Sequence, residues 1–266
     1  MKQIELSLVV TAHNETVVCG PSMKSAEIAV AKAEAAGISV ERIIALDSAT
    51  EACKHYFHQP AFDGWTRLEF SERDLGRTRN AVLEKCAGKY IGFLDADDLF
   101  SENWLSDGVR LLQQAEAEGR RVIVHPEINW LFDGGASIFT KPDQSDPLFT
   151  PYYFQFANYY DSLFLAPRQA HEEISFIHRD IPNGLSFQDW QFSIESMAAG
   201  WEHVHARDTA IFKRRRDSSL VTESSSRRSL IRQLPAMAID QIGKLGNVAS
   251  GNVDHRATGS TSKTNG

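Results

Sequence analysis

Eight consecutive residues constrain this chain more than any others: Ile91-Gly92-Phe93-Leu94-Asp95-Ala96-Asp97-Asp98. The apolar first half reads as a buried strand, and three carboxylates follow it within four positions. Like charges this close raise one another's pKa and repel. A divalent cation relieves that cost, and oxygen ligands of this kind suit Mg²⁺ or Mn²⁺. At the carboxyl end of a sheet strand, such a cluster stands where open α/β sheets bind ligands. The plainer reading is a polar loop or a helix N-terminus, so the rest of the chain has to decide between them.

Strand and helix patterns alternate up to residue 125. Residues 4–11 are almost continuously apolar, as in a strand buried on both faces. A polar turn, His13-Asn14-Glu15-Thr16, follows, then a helical pattern over 21–37 that stops at Gly37. Residues 40–46 form a second short strand ending at Asp47, 51–58 read as a helix, and 66–70 as a third strand. A helix over 76–87 halts at Gly88 before the acidic strand, and a helix over 103–118 and a strand over 121–125 come after it. This alternation predicts βαβ units, right-handed crossovers and a mostly parallel sheet. Beyond Pro126 the texture changes, with a turn at Asp133-Gly134-Gly135 and dense aromatics from Phe149 to Phe164. A helix is expected over 187–199 and a strand over 204–212. An amphipathic stretch over 230–245 leads into a Ser-, Gly- and Asn-rich tail with few large apolar groups, expected to be disordered.

Composition narrows the partners. A net charge of -7 argues against broad nucleic-acid or anionic-membrane binding. Three cysteines, Cys19, Cys53 and Cys86, have no metal-ligand spacing and are odd in number, which suits a reducing, cytoplasmic compartment. Residues 1–3 lead straight into a strand without a signal-peptide apolar stretch, and no run of about 18 apolar residues exists to span a membrane. Peripheral association with the inner membrane stays open.

Several segments together resemble the GT-A glycosyltransferases of family 2. Val9-Val10-Thr11-Ala12-His13-Asn14-Glu15 is similar to their first strand and turn, and Ile43 to Thr50 to their second strand. Gly76-Arg77-Thr78-Arg79-Asn80 resembles the helix start that carries an Arg-Asn pair. Phe93 to Asp98 resembles the Asp-x-Asp motif, and Gln188-Asp189-Trp190 the later Glu-Asp motif that supplies the catalytic base. The order matches over residues 4–215. The resemblance implies a GT-A α/β fold, a central mostly parallel mixed sheet flanked by helices. It divides the chain into a domain over 1–222 and a C-terminal helix or flexible tail over 223–266. Residues 1–125 would bind nucleotide and 126–222 acceptor.

The implied function is metal-assisted, inverting transfer of a sugar from a nucleotide-sugar, a UDP-sugar, to a hydroxyl on a glycan or lipid-linked acceptor. Asp97 is the implied metal ligand, and Asp95 shares the metal or faces the ribose. Asp98 is either a ligand or a cap on the next helix. Thr11, Ala12 and His13 would line the nucleotide pocket, and Glu15 would contact ribose or favour the following helix. Asp47 would accept the uracil imide N–H. Arg79 would reach a phosphate or the base. Asp189 would be the base that takes the acceptor's proton. The chain departs from the pattern at Ser48, where a second aspartate is usual, and at Gln188, where glutamate is usual.

Other features have two readings. His203 and His205 either help a metal or lend polarity to a strand face. Lys213-Arg214-Arg215-Arg216 either holds a diphosphate, meets an anionic acceptor or lipid, or forms a solvated loop. The aromatics over 152–160 fall where acceptor elements lie, although most are expected in the core, and Trp190 is expected to pack. Two rival functions remain: a catalytically impaired nucleotide-sugar-binding module, and a nucleotidyltransferase. The second would need a Gly-rich basic loop near the N-terminus, which Thr11 to Thr16 does not provide.

Overall fold

The computed structural model describes residues 3–216 and 220–246; the expected disordered tail lies outside the described residues, apart from its first part. The first half runs β1 (Leu6–Ala12), α1 (Cys19–Ala35), β2 (Val40–Asp47), α2 (Glu51–Phe57), β3 (Thr66–Phe70), α3 (Leu75–Leu83), β4 (Tyr90–Asp95), β5 (Leu99–Phe100) and α4 (Trp104–Ala117). The second half runs β6 (Val122–Phe132), β7 (Ser137–Thr140), β8 (Leu165–Pro167), α5 (Arg168–Glu173), α6 (Gln188–Ala198), β9 (Glu202–Arg214) and α7 (Leu220–Ser226). The strands form one mixed sheet in the order β3-β2-β1-β4-β8-β6-β9-β5, with β7 paired to β6.

The apolar runs follow from burial on both sides. Leu6, Leu8 and Val10 of β1 pack into one core cluster with Met23 and Val30 of α1 and Leu105 of α4. Val9 points the other way, into a cluster with Val82 of α3, Ala170 of α5 and Phe192 of α6. Since successive side chains of a strand alternate faces, a sheet covered on both faces needs apolar residues at every position. β4 obeys the same rule, with Leu94 in the first cluster and Ile91 and Phe93 in the second.

β1 pairs in parallel with β2 on one side and β4 on the other, so the strand order reverses there. Reversal opens a crevice beyond the strands' carboxyl ends. Register puts Thr11 of β1 opposite Asp95 of β4, which brings the two expected site segments together. Beyond β4 the sheet turns antiparallel through β8, then β6 and β9 run parallel to each other. β6 and β9 are both longer than their expected segments of 121–125 and 204–212, because they pair with each other along most of their length. That extension carries the basic run at the end of β9 back to the acidic cluster.

Loop conformations near the crevice are unusual. Ser48, Arg73 and Phe187 all have left-handed backbone, with φ of 47°, 55° and 63°. Non-glycine residues hold this conformation only when surroundings over-determine it. Gly76 is needed for another reason: a Cβ there would lie 2.3 Å from the Ile177 carbonyl oxygen. The amphipathic stretch at 230–245 forms two 3-10 turns, Pro235–Met237 and Ile242–Gly246, where a helix was expected. Pro235 and Gly243 interrupt any longer helix. Leu234, Ile242 and Leu245 nonetheless pack against Ile194 and Met197 of α6, so this segment belongs to the core of the second half.

Candidate active site

A cleft of about 730 Å³ opens at the carboxyl ends of β1, β2 and β4. Thr11, Ala12, His13, Glu15, Asp47, Asp95 and Asp97 all line it, as does the basic run of residues 213–216. A smaller pocket of about 120 Å³ holds Asp189 and Gln188 and shares Asp95, Arg179 and Lys213 with the cleft. The structure therefore brings the expected nucleotide and base residues to one place, with two exceptions in how they act.

Arg79 is the first exception. Its side chain is fully buried and pairs with Asp95 Oδ1 at 2.8 Å; it lines the small pocket and not the main cleft. Phe93 and Phe176 flank the guanidinium, with ring centroids at 5.2 and 5.5 Å. An arginine sealed between two aromatic faces and a carboxylate cannot swing out to a base. It acts on the site through Asp95. Thr11 also donates to Asp95 Oδ1, at 2.9 Å. Burial pushes the Asp95 carboxyl up, but Arg79, Lys213 and the Thr11 hydroxyl outweigh it and hold Asp95 ionised, below the usual carboxylate range.

Glu15 is the second. Its Oε2 accepts from the backbone N–H groups of His13 at 2.6 Å and Asn14 at 2.8 Å, so it shapes the turn that the ribose would meet. His13 Nδ1 lies 2.9 Å from the Asp47 carbonyl oxygen, which fixes the ring beside the end of β2. Asp47 accepts from Glu72 N at 2.7 Å and Arg73 N at 3.2 Å, all on Oδ1. One carboxylate thus holds the 72–73 turn with one oxygen, while Oδ2 of this cleft-lining residue accepts no hydrogen bond among the described residues. Asp74, next along, caps α3 through Arg77 N and accepts from Arg179 N with its other oxygen.

The three acids of the opening motif divide. Asp98 is buried, and the helix-cap reading fails because α4 starts behind Asn103. Its Oδ1 accepts from Arg214 N at 2.8 Å and its Oδ2 faces Lys213 Nζ at 3.2 Å, so both oxygens are taken. Asp97 pairs through Oδ2 with Arg216. Burial and then the Asp95 charge raise its pKa. Asp95 Oδ2 and Asp97 Oδ1 accept no hydrogen bond among the described residues. No group of three His, Cys, Asp or Glu residues able to hold a metal occurs among the described residues. Mg²⁺ typically takes only one or two carboxylates and fills its shell with phosphate and water, so one free oxygen from each of Asp95 and Asp97 fits such an ion.

The histidines point elsewhere. His203 is buried, bonded to Ser196 Oγ and to His125, each at 2.9 Å, and burial pushes its pKa down to about 3. His205 Nδ1 lies 2.9 Å from Asp143. Neither lines the cleft. The aromatics are mixed: Phe154 and Tyr160 are core, while Tyr152 and Phe156 are exposed. Trp190 packs against the cluster around Phe154, as expected.

Lys213 carries more of the site than its place in a basic run suggested. It sits buried among Asp98, Asp161, Asp95 and Asp189, whose charges together raise its pKa although burial alone would lower it. Lys141, also buried, lies 3.1 Å from Asp161. Three ion pairs result, Arg79–Asp95, Lys141–Asp161 and Lys213–Asp98. Asp189, in the first turn of α6, has no ion-pair partner among the described residues. Burial and the nearby Asp161 charge raise its pKa, opposed by Lys213 and the Trp190 amide. A carboxylate left over in a paired cluster, at a pocket wall, is suited to take a proton. The sequence offered no signal for Asp161 or Lys141, since their partners are distant in the chain.

Known proteins resemble this chain in sequence over part of its length and in fold. Residues 7–135 match the family model described as Glycosyl transferase family 2. A 57-residue stretch, 21% of this chain and 19% of the relative, is 35% identical to the amylovoran biosynthesis glycosyltransferase AmsB of Erwinia amylovora. The crystal structure of S. aureus TarS residues 1–349 with UDP-GlcNAc superposes with a TM-score of 0.59 at 14% identity, over 84% of this chain and 61% of that one. The longer TarS structure gives 0.58 at 12% identity, over 80% of this chain and 37% of TarS. The chain thus spans about a fifth of the curated relative and less than two thirds of these structures, whose likeness is one of fold.

Proposed function

Given that residues 7–135 form a family 2 glycosyl transferase domain, we propose that the chain moves a sugar from a UDP-sugar to an acceptor hydroxyl with inversion. The observation that carries this reading is the junction of two pockets: a donor-sized cleft bearing Asp47, Asp95 and Asp97, and beside it an unpaired Asp189. The neighbour TarS was crystallised with UDP-GlcNAc, which supports a UDP-sugar as donor.

In this mechanism Asp47 Oδ2 accepts the uracil N3–H while Oδ1 keeps the 72–73 turn in place. His13 presents its ring to the base or ribose. Asp95 and Asp97 each offer one oxygen to a divalent Mg²⁺ or Mn²⁺, which would neutralise charge on the departing diphosphate. Arg215 lines the cleft and no ion pair holds its guanidinium among the described residues, so it serves the diphosphate as well. Asp189 takes the acceptor hydroxyl proton as that oxygen attacks the anomeric carbon. The bond to the diphosphate breaks on the opposite face, and a single displacement inverts the configuration. The glycan or lipid-linked character of the acceptor is part of the proposal. No helix among the described residues is long and apolar enough to cross a membrane. A cytoplasmic location, with peripheral membrane association, is part of the proposal and suits an anionic lipid-linked acceptor near the basic run.

The test is UDP release from a panel of UDP-sugars with Mn²⁺ and candidate acceptors, comparing wild type with Asp97→Ala and Asp189→Ala. Turnover abolished in Asp189→Ala with UDP binding retained supports the base. Unchanged turnover in both variants removes the assigned roles. UDP binding with no turnover on any acceptor would favour an inactive binding module.

A further inference from the structure

The four basic residues at the end of β9 differ in what holds them. Lys213 and Arg214 are mostly buried, with side-chain exposures of 17% and 13%, and their partners, Asp98 and Asp133, are not expected to touch donor. Arg216 is 34% exposed and its partner is Asp97, the expected metal ligand. A second carboxylate, Glu15 Oε1, stands 3.9 Å away. Arg216 Nε is buried and has no hydrogen-bond partner among the described residues, where the guanidinium is therefore only partly satisfied. It also lines the donor cleft.

From this arrangement we infer that Arg216 is a diphosphate-binding residue stored on Asp97 in the free chain, released when a divalent cation takes Asp97 and a nucleotide diphosphate enters. The inference rests on the reading of the cleft as a nucleotide-diphosphate site. A divalent cation on the free Asp97 Oδ1 would stand beside the guanidinium held on Oδ2 and bring like charges together. Ion and Arg216 therefore compete. A diphosphate resolves the competition, because it offers the displaced guanidinium's planar fork a pair of anionic oxygens to bind in bidentate fashion. In the free chain the same pair compensates Asp97, a part-buried acid beside Asp95; without it the Asp97 charge would stand uncancelled next to a carboxylate that has its own partner in Arg79. The exchange trades one ion pair for another, so the barrier to donor binding stays small while the free site is protected from stray cations. Any effector of the site acts only through its different affinity for the two arrangements.

Two titrations of the intact chain separate this role from a structural one: Mn²⁺ alone, and UDP in the presence of saturating Mn²⁺. Arg216→Gln is expected to bind Mn²⁺ about two- to five-fold more tightly than wild type, equivalent to about 0.4–1 kcal/mol and within the range of a part-exposed ion pair. The same variant is expected to bind UDP several-fold more weakly. Arg216→Lys retains the competing charge and stays near wild type for Mn²⁺, while its UDP affinity falls part of the way. Unchanged or weaker Mn²⁺ binding by Arg216→Gln, in a protein where wild type binds both ligands and Asp97→Asn abolishes the Mn²⁺ site, overturns this inference and leaves the functional reading standing. Failure of wild type to bind either probe overturns the functional reading and this inference with it.

Discussion

On the β1–β4 side of the cleft, carboxylates are held by groups close in the chain or directly across a parallel ladder. Asp47 is fixed by the backbone of residues 25 and 26 positions away, and Asp95 by Arg79 at 16. On the β9–α6 side, the partners come from far off: Arg214 reaches Asp98 across 116 positions and Arg216 reaches Asp97 across 119. The first side is a scaffold whose acids are locked with one oxygen and present the other. The second is delivered by β9 and the residues after it: the Arg214 amide and the Lys213 side chain hold Asp98, and the part-exposed Arg216 side chain holds Asp97 in the pair inferred above to exchange. Rigid placement suits recognition of the nucleotide, and exchangeable pairs suit a step in which charge moves.

The largest expected effect is on the mobile-chemistry side. Asp189→Asn should lower sugar transfer about 10³-fold while leaving UDP affinity within about two-fold, because general-base contributions run at about 10²–10⁴. Steady-state rates with UDP titrations check this. A loss of UDP binding would instead place Asp189 with the scaffold.

The largest effect on the scaffold side is one of stability. Arg79→Leu leaves Asp95 buried beside Asp97 without its counter-ion, and should cost about 3 kcal/mol in urea unfolding. A cost under about 1 kcal/mol would show that the pair is dispensable and that Asp95 relaxes to other donors.

Asp47→Asn is expected to weaken UDP about ten-fold, one step of about 1.4 kcal/mol, with little change in melting temperature. The amide oxygen can still accept from the 72–73 turn, but the charge that favours the uracil imide is gone. Calorimetry on the variant tests whether the locked carboxylate has a second task.

The smallest effect concerns pH. The Asp143 hydrogen bond raises the pKa of His205 above its ordinary value. Stability from this pair is complete below the unfolded histidine value of about 6.5 and is lost as pH rises through the higher folded value. Wild type should therefore lose up to about 1 kcal/mol more than His205→Gln between pH 6 and pH 9, read from urea midpoints. Parallel profiles would mean the pair contributes nothing.

Much of the first side was legible in the sequence. An unbroken apolar strand requires two covered faces, and a strand ending in Asp95 and Asp97 must present them at the sheet edge. Asp47 followed the same logic at the end of β2. For Arg79 the sequence shows a cation in a helix start but not the aromatic faces of Phe93 and Phe176 that bury it. Asp98 was ambiguous for a similar reason: its partners, Lys213 and the Arg214 amide, arrive only through pairing of β9 with β5 and β6. The His203 and His205 readings depended on which sheet face was covered, and that is set by residues 143–160, which carry no periodicity. Ser48 holds a left-handed backbone, a conformation that Asp and Asn adopt more readily, so the sequence alone carried no sign of it.

The most direct measurement is calorimetric titration of UDP and UDP-sugars into the chain with and without Mn²⁺, for wild type and Asp97→Asn. The account predicts UDP-sugar binding that Mn²⁺ strengthens in wild type and fails to strengthen in Asp97→Asn. Absence of binding by any nucleotide-diphosphate compound, or binding indifferent to Asp97 and to Mn²⁺, would contradict it.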